Sequence, residues 1–192
     1  MGSGPGDCDG GMGSIDDLAC ELTALFRLDG RHQKIVPWHR GHHYLLTLRP
    51  HERETFLALG DVAAEEFLRL SGSGLCAFSG IDRGGVPAIC FGLIPTASPG
   101  VAEAWLLGGA RFFQHAFSIS RGARAFFPWA ATRWGLSRVD ILVRSDFVLG
   151  AQWARFLYFI QGDPVLNAMG SGLRYDRWSR TFTKEVSYGR HL

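Results

Sequence analysis

A glycine-rich turn between two apolar segments is the feature that most restricts how this chain can fold. The segments are GLCAFSGI, at residues 74–81, and VPAICFGLI, at residues 86–94, and Asp-Arg-Gly-Gly connects them. Both segments are rich in strand-forming residues, and aspartate followed by glycines favours a tight reversal. The pattern predicts an antiparallel hairpin in which Cys76 and Cys90 point to opposite faces.

The sequence around the hairpin predicts an α/β protein with a mixed sheet. A strand is expected at residues 44–49, followed by two short helices that Gly60 separates. Further strands are predicted at 101–109, 138–145 and 173–183. A helix is predicted at 114–134, which Pro128 breaks or restarts, and another at 146–160. A loop with Gly162 and Pro164 follows the second of these helices. Because a helix connects the strands at 101–109 and 138–145, we expect these two strands to be parallel.

Residues 1–43 are predicted to form an N-terminal extension of a domain at 44–183, with a tail at 184–192. The first fourteen residues are rich in glycine and are predicted to be disordered, and residues 29–43 are predicted to be a linker. Between them lies an amphipathic helix whose N-cap is Ser14. Its apolar stripe consists of Leu18, Leu22, Leu25 and Phe26. A helix of about 14 residues is marginal in water, so the stripe must pack on the domain or on another chain.

Composition argues against several classes of protein. The four cysteines form no Cys-x-x-Cys pair and are predicted to be reduced, and the histidines lack the i, i+4 spacing of a zinc helix. Gln152 and Arg155 interrupt the longest apolar runs, so no membrane span is expected. The N-terminus has no apolar stretch like that of a secretory signal, and we expect a cytoplasmic protein.

Positive charge is concentrated in the second half of the chain. Arginine supplies 18 of the 20 basic residues. The net charge is +4 over residues 101–160 and +2 over 161–192, against −2 for 1–43 and −2 for 44–100. The excess of positive charge indicates that an anionic ligand, if there is one, binds to this half of the chain. The alternative is that the arginines form a solvated face without a ligand. The clustering is too weak to predict nucleic-acid binding.

The order of elements and three stretches of sequence resemble the GNAT superfamily of N-acetyltransferases over residues 44–183. The stretches are LRPHERE, AEAWLLGG and the spacing Ala-x3-Tyr-x3-Gly formed by Ala154, Tyr158 and Gly162. The resemblance implies a mixed, largely antiparallel central sheet flanked by helices, in which strands four and five are parallel and splay apart. More narrowly, the sequence is similar to GNAT-like proteins of tailed phages, some of which are internal virion proteins.

The resemblance also implies a site for acetyl-CoA in the gap between strands four and five. The pantetheine would lie along Trp105, Leu106 and Leu107, Glu103 would be the general base, and Tyr158 would protonate the leaving thiolate. Each role has a structural alternative, which is the commoner one for its residue type: a solvated edge charge for Glu103 and a core tyrosine for Tyr158.

The phosphate-binding loop of the superfamily, R/Q-x-x-G-x-G/A, has no match between Gly108 and Phe127, where the resemblance would place it. The nearest stretch is RGARAF at residues 121–126, which has bulky residues where glycine belongs. The cofactor site is therefore either remodelled or lost. A remodelled site would hold the phosphates at a helix start with Ser120, Arg121, Gly122 and Arg124.

Two functions remain open on the sequence. One is the transfer of an acetyl group from acetyl-CoA to an amine. The other is a non-enzymatic virion or assembly protein that uses the fold as an interaction module and has other virion proteins as its partners.

Overall fold

A β-sheet organises the chain, which a computed structural model describes over residues 14–166 and 170–183. The strands are β1 (Lys34–Pro37), β2 (Cys76–Ile81), β3 (Pro87–Pro95), β4 (Val101–Gly108), β5 (Arg138–Arg144), β6 (Ile160–Leu166) and β7 (Arg174–Thr181). The helices are α1 (Ile15–Leu25), α2 (Arg40–Leu45), α3 (Pro50–Gly72), α4 (Ala116–Trp134) and α5 (Val148–Phe156), and a 3₁₀ turn at Phe112–His115 precedes α4. The predictions for the first thirteen residues and for the tail at 184–192 fall outside the described residues.

The described strands form one sheet in the order β1-β2-β3-β4-β5-β7-β6. All neighbouring pairs are antiparallel except β4 and β5, which are parallel. Their pairing runs only from Val101 opposite Arg138 to Glu103 opposite Asp140, and the strands then separate. The predicted α/β fold with a mixed sheet and splayed parallel strands is confirmed.

The predicted hairpin is confirmed as β2 and β3. The carboxylate of Asp82 organises the turn, since it accepts the amides of Gly84 and Val86 at 2.8 and 3.1 Å. Cys76 lies in the main core, whereas Cys90 lies in a smaller cluster on the other side of the sheet. These two cysteines and Cys20 are free thiols.

Two predictions between α1 and α3 are wrong. Residues 44–49 are not a strand: α2 begins after His39, whose imidazole accepts the amide of Gly41 at 3.0 Å, and only Leu48 forms a single bridge, to Gly109. The predicted linker contains β1, which pairs with β2. The reason is tertiary, because Ile35 is buried and its amide donates to a side chain of α1 at 2.8 Å.

Glycine and proline act differently in the two long helices. Gly60 divides α3 into the two predicted segments, with φ 71° and ψ 166° in the middle of the helix. By contrast, α4 continues through Pro128, so the predicted break is wrong. Proline costs this helix one backbone hydrogen bond. The buried residues Phe127 and Ala130 on either side hold the helix against the sheet despite that loss.

The region after α5 also differs from prediction. The expected loop with Gly162 and Pro164 is the strand β6, which pairs with β7 at the edge of the sheet. Proline is tolerated there because an edge strand has one row of backbone groups without partners. The pairing shifts between Gln161 and Pro164, which accommodates the proline ring.

The predicted N-terminal helix is confirmed and packs on its own domain. Ser14 and Asp17 form a reciprocal capping box at its start. Leu18, Leu22 and Phe26 are buried in the main core. Phe26 stacks on Phe91 of β3 with 5.8 Å between ring centroids. The apolar stripe is thus covered within the chain.

We expect Gly122→Ala to destabilise the protein, because a β-carbon at residue 122 would lie 2.1 Å from Cδ1 of Phe26. In a helix interior, alanine is normally more stabilising than glycine by about 1 kcal/mol. The close contact with Phe26 would overpack the core, however, and overpacking costs roughly 1–3 kcal/mol. Denaturant unfolding of both single variants and of Gly122→Ala combined with Phe26→Leu tests this. The penalty should shrink in the double variant, and simple additivity would contradict the contact.

Candidate active site

A cavity of about 380 Å³ opens where β4 and β5 separate. Its walls include Glu103 to Leu107 of β4 and Ile141 to Arg144 of β5, together with residues of α3, α4 and α5. The cavity reaches both faces of the sheet, since successive side chains of a strand point to opposite faces and both sets line it. It is a mainly apolar cleft that contains a few polar groups, which is the usual composition of a ligand site.

The edge of β4 is unpaired along this cavity. Over the described residues, β4 has no strand partner on the β5 side from Ala104 to Leu107. Backbone N–H and C=O groups on such an edge are available to a ligand that carries amides. Trp105, Leu106 and Leu107, which the sequence assigned to this edge, all line the cavity.

Glu103 is the last residue of β4 that pairs with β5, and its side chain lines the cavity. Burial raises the pKa of its carboxyl group, an effect that Asp140 reinforces and Arg177 opposes. Asp140 is itself buried and accepts the hydroxyl of Ser179 at 2.7 Å. The pKa of Glu103 is thus closer to neutral pH than that of an exposed glutamate, which suits a general base.

Tyr175 of β7 is a site residue that the sequence reasoning missed. It is 4% exposed and lines the cavity, and its hydroxyl has no hydrogen-bond partner among the described residues. It pairs with Arg144 on β5, and by strand alternation it lies on the same face as Glu103. The alternation of Tyr175, Arg177 and Ser179 was visible in the sequence, but the position of β7 beside β5 was not.

Several solved structures that share this architecture are acetyltransferases. A GCN5-related N-acetyltransferase from Kribbella flavida has a TM-score of 0.59 at 13% identity, covering 80% of this chain and 100% of its own. A GNAT-family acetyltransferase from Bacillus anthracis has a TM-score of 0.56 at 9% identity, covering 79% and 95%. RimL, a ribosomal L7/L12 alpha-N-protein acetyltransferase in complex with coenzyme A, has a TM-score of 0.52 at 13% identity, covering 79% and 95%.

The chain has the GNAT fold. No protein-family model and no curated protein sequence matches it. Its similarity to the acetyltransferases therefore lies in the order, pairing and separation of its strands, which the structure shows directly.

Within this GNAT fold, the helical placement of Tyr158 is wrong. Helix α5 ends at Phe156, and Tyr158 follows with a φ of 66°. The amide of Phe159 donates to the carbonyl of Ala154 at 3.0 Å and that of Tyr158 to Arg155 at 2.9 Å, which is the hydrogen-bond pattern of a Schellman C-cap. Ala154, Tyr158 and Gly162 therefore do not share a helix face.

The ring of Tyr158 is half-exposed and lies outside the described lining of the cavity. It packs between two guanidinium groups, those of Arg124 and Arg180, at 4.6 and 5.4 Å from its centroid. Its surroundings are those of a surface aromatic residue, neither a core tyrosine nor a residue of the cleft.

The four residues predicted to hold phosphates do not converge, and they do not lie at a helix start. Helix α4 begins at Ala116, so residues 120–124 occupy its second and third turns. Arg121 donates to the carbonyl of Phe26 at 2.8 Å, Gly122 contacts the same phenylalanine, and Arg124 packs on Tyr158. Of the four, Ser120 alone lines the cavity, where it accepts the indole N–H of Trp153 at 3.0 Å.

Two arginines lie instead near the turn between β4 and α4. Arg49 is partly buried, forms an ion pair with Glu52, and lies 4.3 Å from the ring centroid of Phe112. Arg111 is half-exposed and forms an ion pair with Asp82 at 2.6 Å. Glu52 and Arg49 line the cavity and were not singled out from the sequence.

Over residues 14–166 and 170–183, no three histidine, cysteine or acidic side chains gather as metal ligands would. In the same part of the chain, no helix is both long and apolar enough to cross a membrane.

The raised pKa of Glu103 predicts a pH-dependent stability difference. The folded state favours the protonated acid, so the wild type loses stability as the pH rises from the ordinary glutamate pKa of about 4.3 through the higher folded value. Glu103→Gln cannot ionise and should be more stable than the wild type at neutral pH, with the gain vanishing below about pH 4.

Denaturant unfolding of both proteins between pH 4 and pH 8 measures this difference. Glu66→Gln is the matched control, because Glu66 is exposed and its hydrogen bond to Arg69 lowers its pKa. The control should show no gain at neutral pH. A Glu103→Gln variant that is less stable than the wild type at neutral pH would contradict the raised pKa of this carboxyl group.

Proposed function

We propose that this protein transfers an acyl group, acetyl in the simplest case, from acyl-CoA to an amine. The observation that carries the proposal is the cavity between β4 and β5. In it, the edge of β4 that has no strand partner over the described residues lies beside the partly buried Glu103. The shared fold of acetyltransferases, one of them in complex with coenzyme A, supports it.

The cavity suits the thioester arm of acyl-CoA. Pantetheine alternates amides with methylene groups, and the edge of β4 from Ala104 to Leu107 offers backbone partners beside apolar walls. For the phosphates, Arg111 is the half-exposed basic side chain beside the turn that follows β4, and it would bind them in place of a glycine-rich loop. In this proposal Trp105, Leu106 and Leu107 lie along the pantetheine, as the sequence predicts. The predicted phosphate ligands Arg121, Gly122 and Arg124 have no role in it, because they contact Phe26 or Tyr158 instead.

The chain would contribute two proton transfers. Acyl-CoA supplies the activated acyl group, and the amine attacks its carbonyl carbon. Glu103 would accept the proton that the amine loses, because its burial makes the carboxylate a stronger base than an exposed glutamate. The hydroxyl of Tyr175 would donate a proton to the departing sulfur, since it is buried in the cavity and has no partner among the described residues. Tyr175 thus takes the role that the sequence assigned to Tyr158.

Calorimetric titration with acetyl-CoA and with free CoA tests the proposal. Both should bind, and Glu103→Gln should reduce turnover by roughly 10²- to 10⁴-fold while acetyl-CoA still binds. Glu66→Gln, on the exposed surface of α3, should behave as the wild type. An absence of heat with acetyl-CoA at about millimolar concentration, far weaker than ordinary substrate binding, would overturn the proposal.

Replacing two tyrosines separately tests the reassigned proton donor. Tyr175→Phe should lower turnover by about a hundredfold or more. Its stability should not fall, because the hydroxyl makes no hydrogen bond in the described part of the chain that phenylalanine would lose. Tyr158→Phe keeps the ring between Arg124 and Arg180 and should leave turnover unchanged. The reverse pattern would restore the role of Tyr158.

The phage-type resemblance, the virion role and the cytoplasmic location stay predictions. The compared structures are acetyltransferases, so they favour the enzymatic function over a non-enzymatic assembly module. Detecting the chain in purified virus particles is the measurement that bears on the virion role.

A further inference from the structure

One wall of the cavity, on the α3 side of the sheet, is built from three aromatic rings: Phe56, Phe67 and Trp105. Phe56 meets Phe67 edge to face with 5.7 Å between centroids, and Phe67 meets Trp105 in the same way at 5.9 Å. Trp38 supports Trp105 from behind at 6.2 Å. Edge-to-face contacts of this kind fix the orientation of each ring, so the wall is formed before any ligand arrives.

The charges around this aromatic wall are mostly compensated. Glu52 is bound by Arg49, and Arg144 is bound by Asp146 and Glu54. Among the described residues, Glu103 is the carboxylate of the cavity lining that forms no ion pair, and Arg177 is the cation that acts on it from β7. A positively charged group of a ligand on this side of the sheet would therefore find one carboxylate partner in the described cavity lining, Glu103.

Strand geometry links that point to the wall. Glu103 and Trp105 are two residues apart on β4, so their side chains leave the same face about 7 Å apart along the strand. This distance suits a short linker between an ammonium group and a flat apolar group. A second ammonium on the same ligand would have no carboxylate partner there, and its attraction to the rings would offset only part of the cost of removing it from water.

We propose that the acceptor is a monoamine carried on an aromatic group, with the ring on the aromatic wall and the amine at Glu103. The role of this ligand as acceptor rests on the proposed acyl transfer, whereas its binding does not. Polyamines, amino sugars and short alkyl amines would be poor ligands, because they lack a ring or bring further polar groups to an apolar wall.

The test uses the full chain and three probes: phenethylamine, butylamine and spermidine. Quenching of tryptophan fluorescence and calorimetry measure binding without acyl-CoA. Phenethylamine should bind roughly tenfold or more tightly than either of the other two amines. Comparable affinity of butylamine or spermidine would overturn the inference.

Two phenylalanine variants locate the bound ring. Phe56→Leu keeps an apolar side chain but removes one ring of the wall, and it should weaken phenethylamine by about threefold to tenfold with little effect on butylamine. Phe117→Leu is the matched control, since Phe117 is exposed and outside the described lining of the cavity. An unchanged affinity in Phe56→Leu, or an equal loss in both variants, would overturn the assignment of the ring to this wall.

Transfer assays with acetyl-CoA distinguish a failure of this inference from a failure of the proposed acyl transfer. Acetylation of spermidine as fast as phenethylamine would overturn the acceptor class and leave the acyltransferase proposal intact. Binding of phenethylamine without any binding of acetyl-CoA would overturn the acyltransferase proposal and leave an aromatic amine site. Preferential acetylation of phenethylamine supports both.

Discussion

The separation of β4 from β5 after three residue pairs is the constraint on which the site depends. A continuous sheet at this point would pair the backbone groups of Ala104 to Leu107 and close the cavity. Buried backbone groups must find partners, so an open edge inside a protein is maintained only where water or a ligand can supply them. The fold therefore exchanges a stretch of strand pairing for a cleft that a chain of amides can complete.

The polar groups in the cleft differ because their surroundings differ. Glu52 and Glu103 both line it, but Glu52 is bonded to Arg49 and Glu103 has no ion pair in the described chain. The ion pair gives Glu52 a structural role, whereas burial raises the pKa of the Glu103 carboxyl group and leaves it available for proton transfer. Tyr175 also has a buried polar group that is available, since its hydroxyl has no hydrogen-bond partner over residues 14–166 and 170–183.

The N-terminal helix explains why the predicted phosphate ligands do not form a phosphate site. Arg121 and Gly122 face the end of α1, where one donates to the carbonyl of Phe26 and the other leaves room for its ring. The helix is thereby attached to α4 and to Phe91 of β3. Residues that looked free for an anion in the sequence are used to hold another part of the chain.

Local chemistry was enough to predict several elements from the sequence. The hairpin follows from Asp82 and its glycines, α1 from its Ser14 cap and apolar stripe, and the parallel pairing of β4 with β5 from the helix between them. The strand that carries Glu103 to Leu107 was predictable from its own residues, whereas the cofactor-site roles of these residues came from the resemblance to the GNAT superfamily and stay a prediction.

Tertiary contacts decided the rest. Nothing local ends α5 before Tyr158, since a tyrosine at positive φ is unfavourable alone. The buried neighbours Leu157 and Phe159 and a hydrogen bond from Arg180 to the carbonyl of Leu157 hold it there. The sequence around Pro164 predicts a loop, and the pairing of this segment with β7 makes it an edge strand. Tyr175 enters the cleft only because β7 pairs with β5, and strand partners distant in sequence are set by the packing of the whole sheet and not by the residues of either strand.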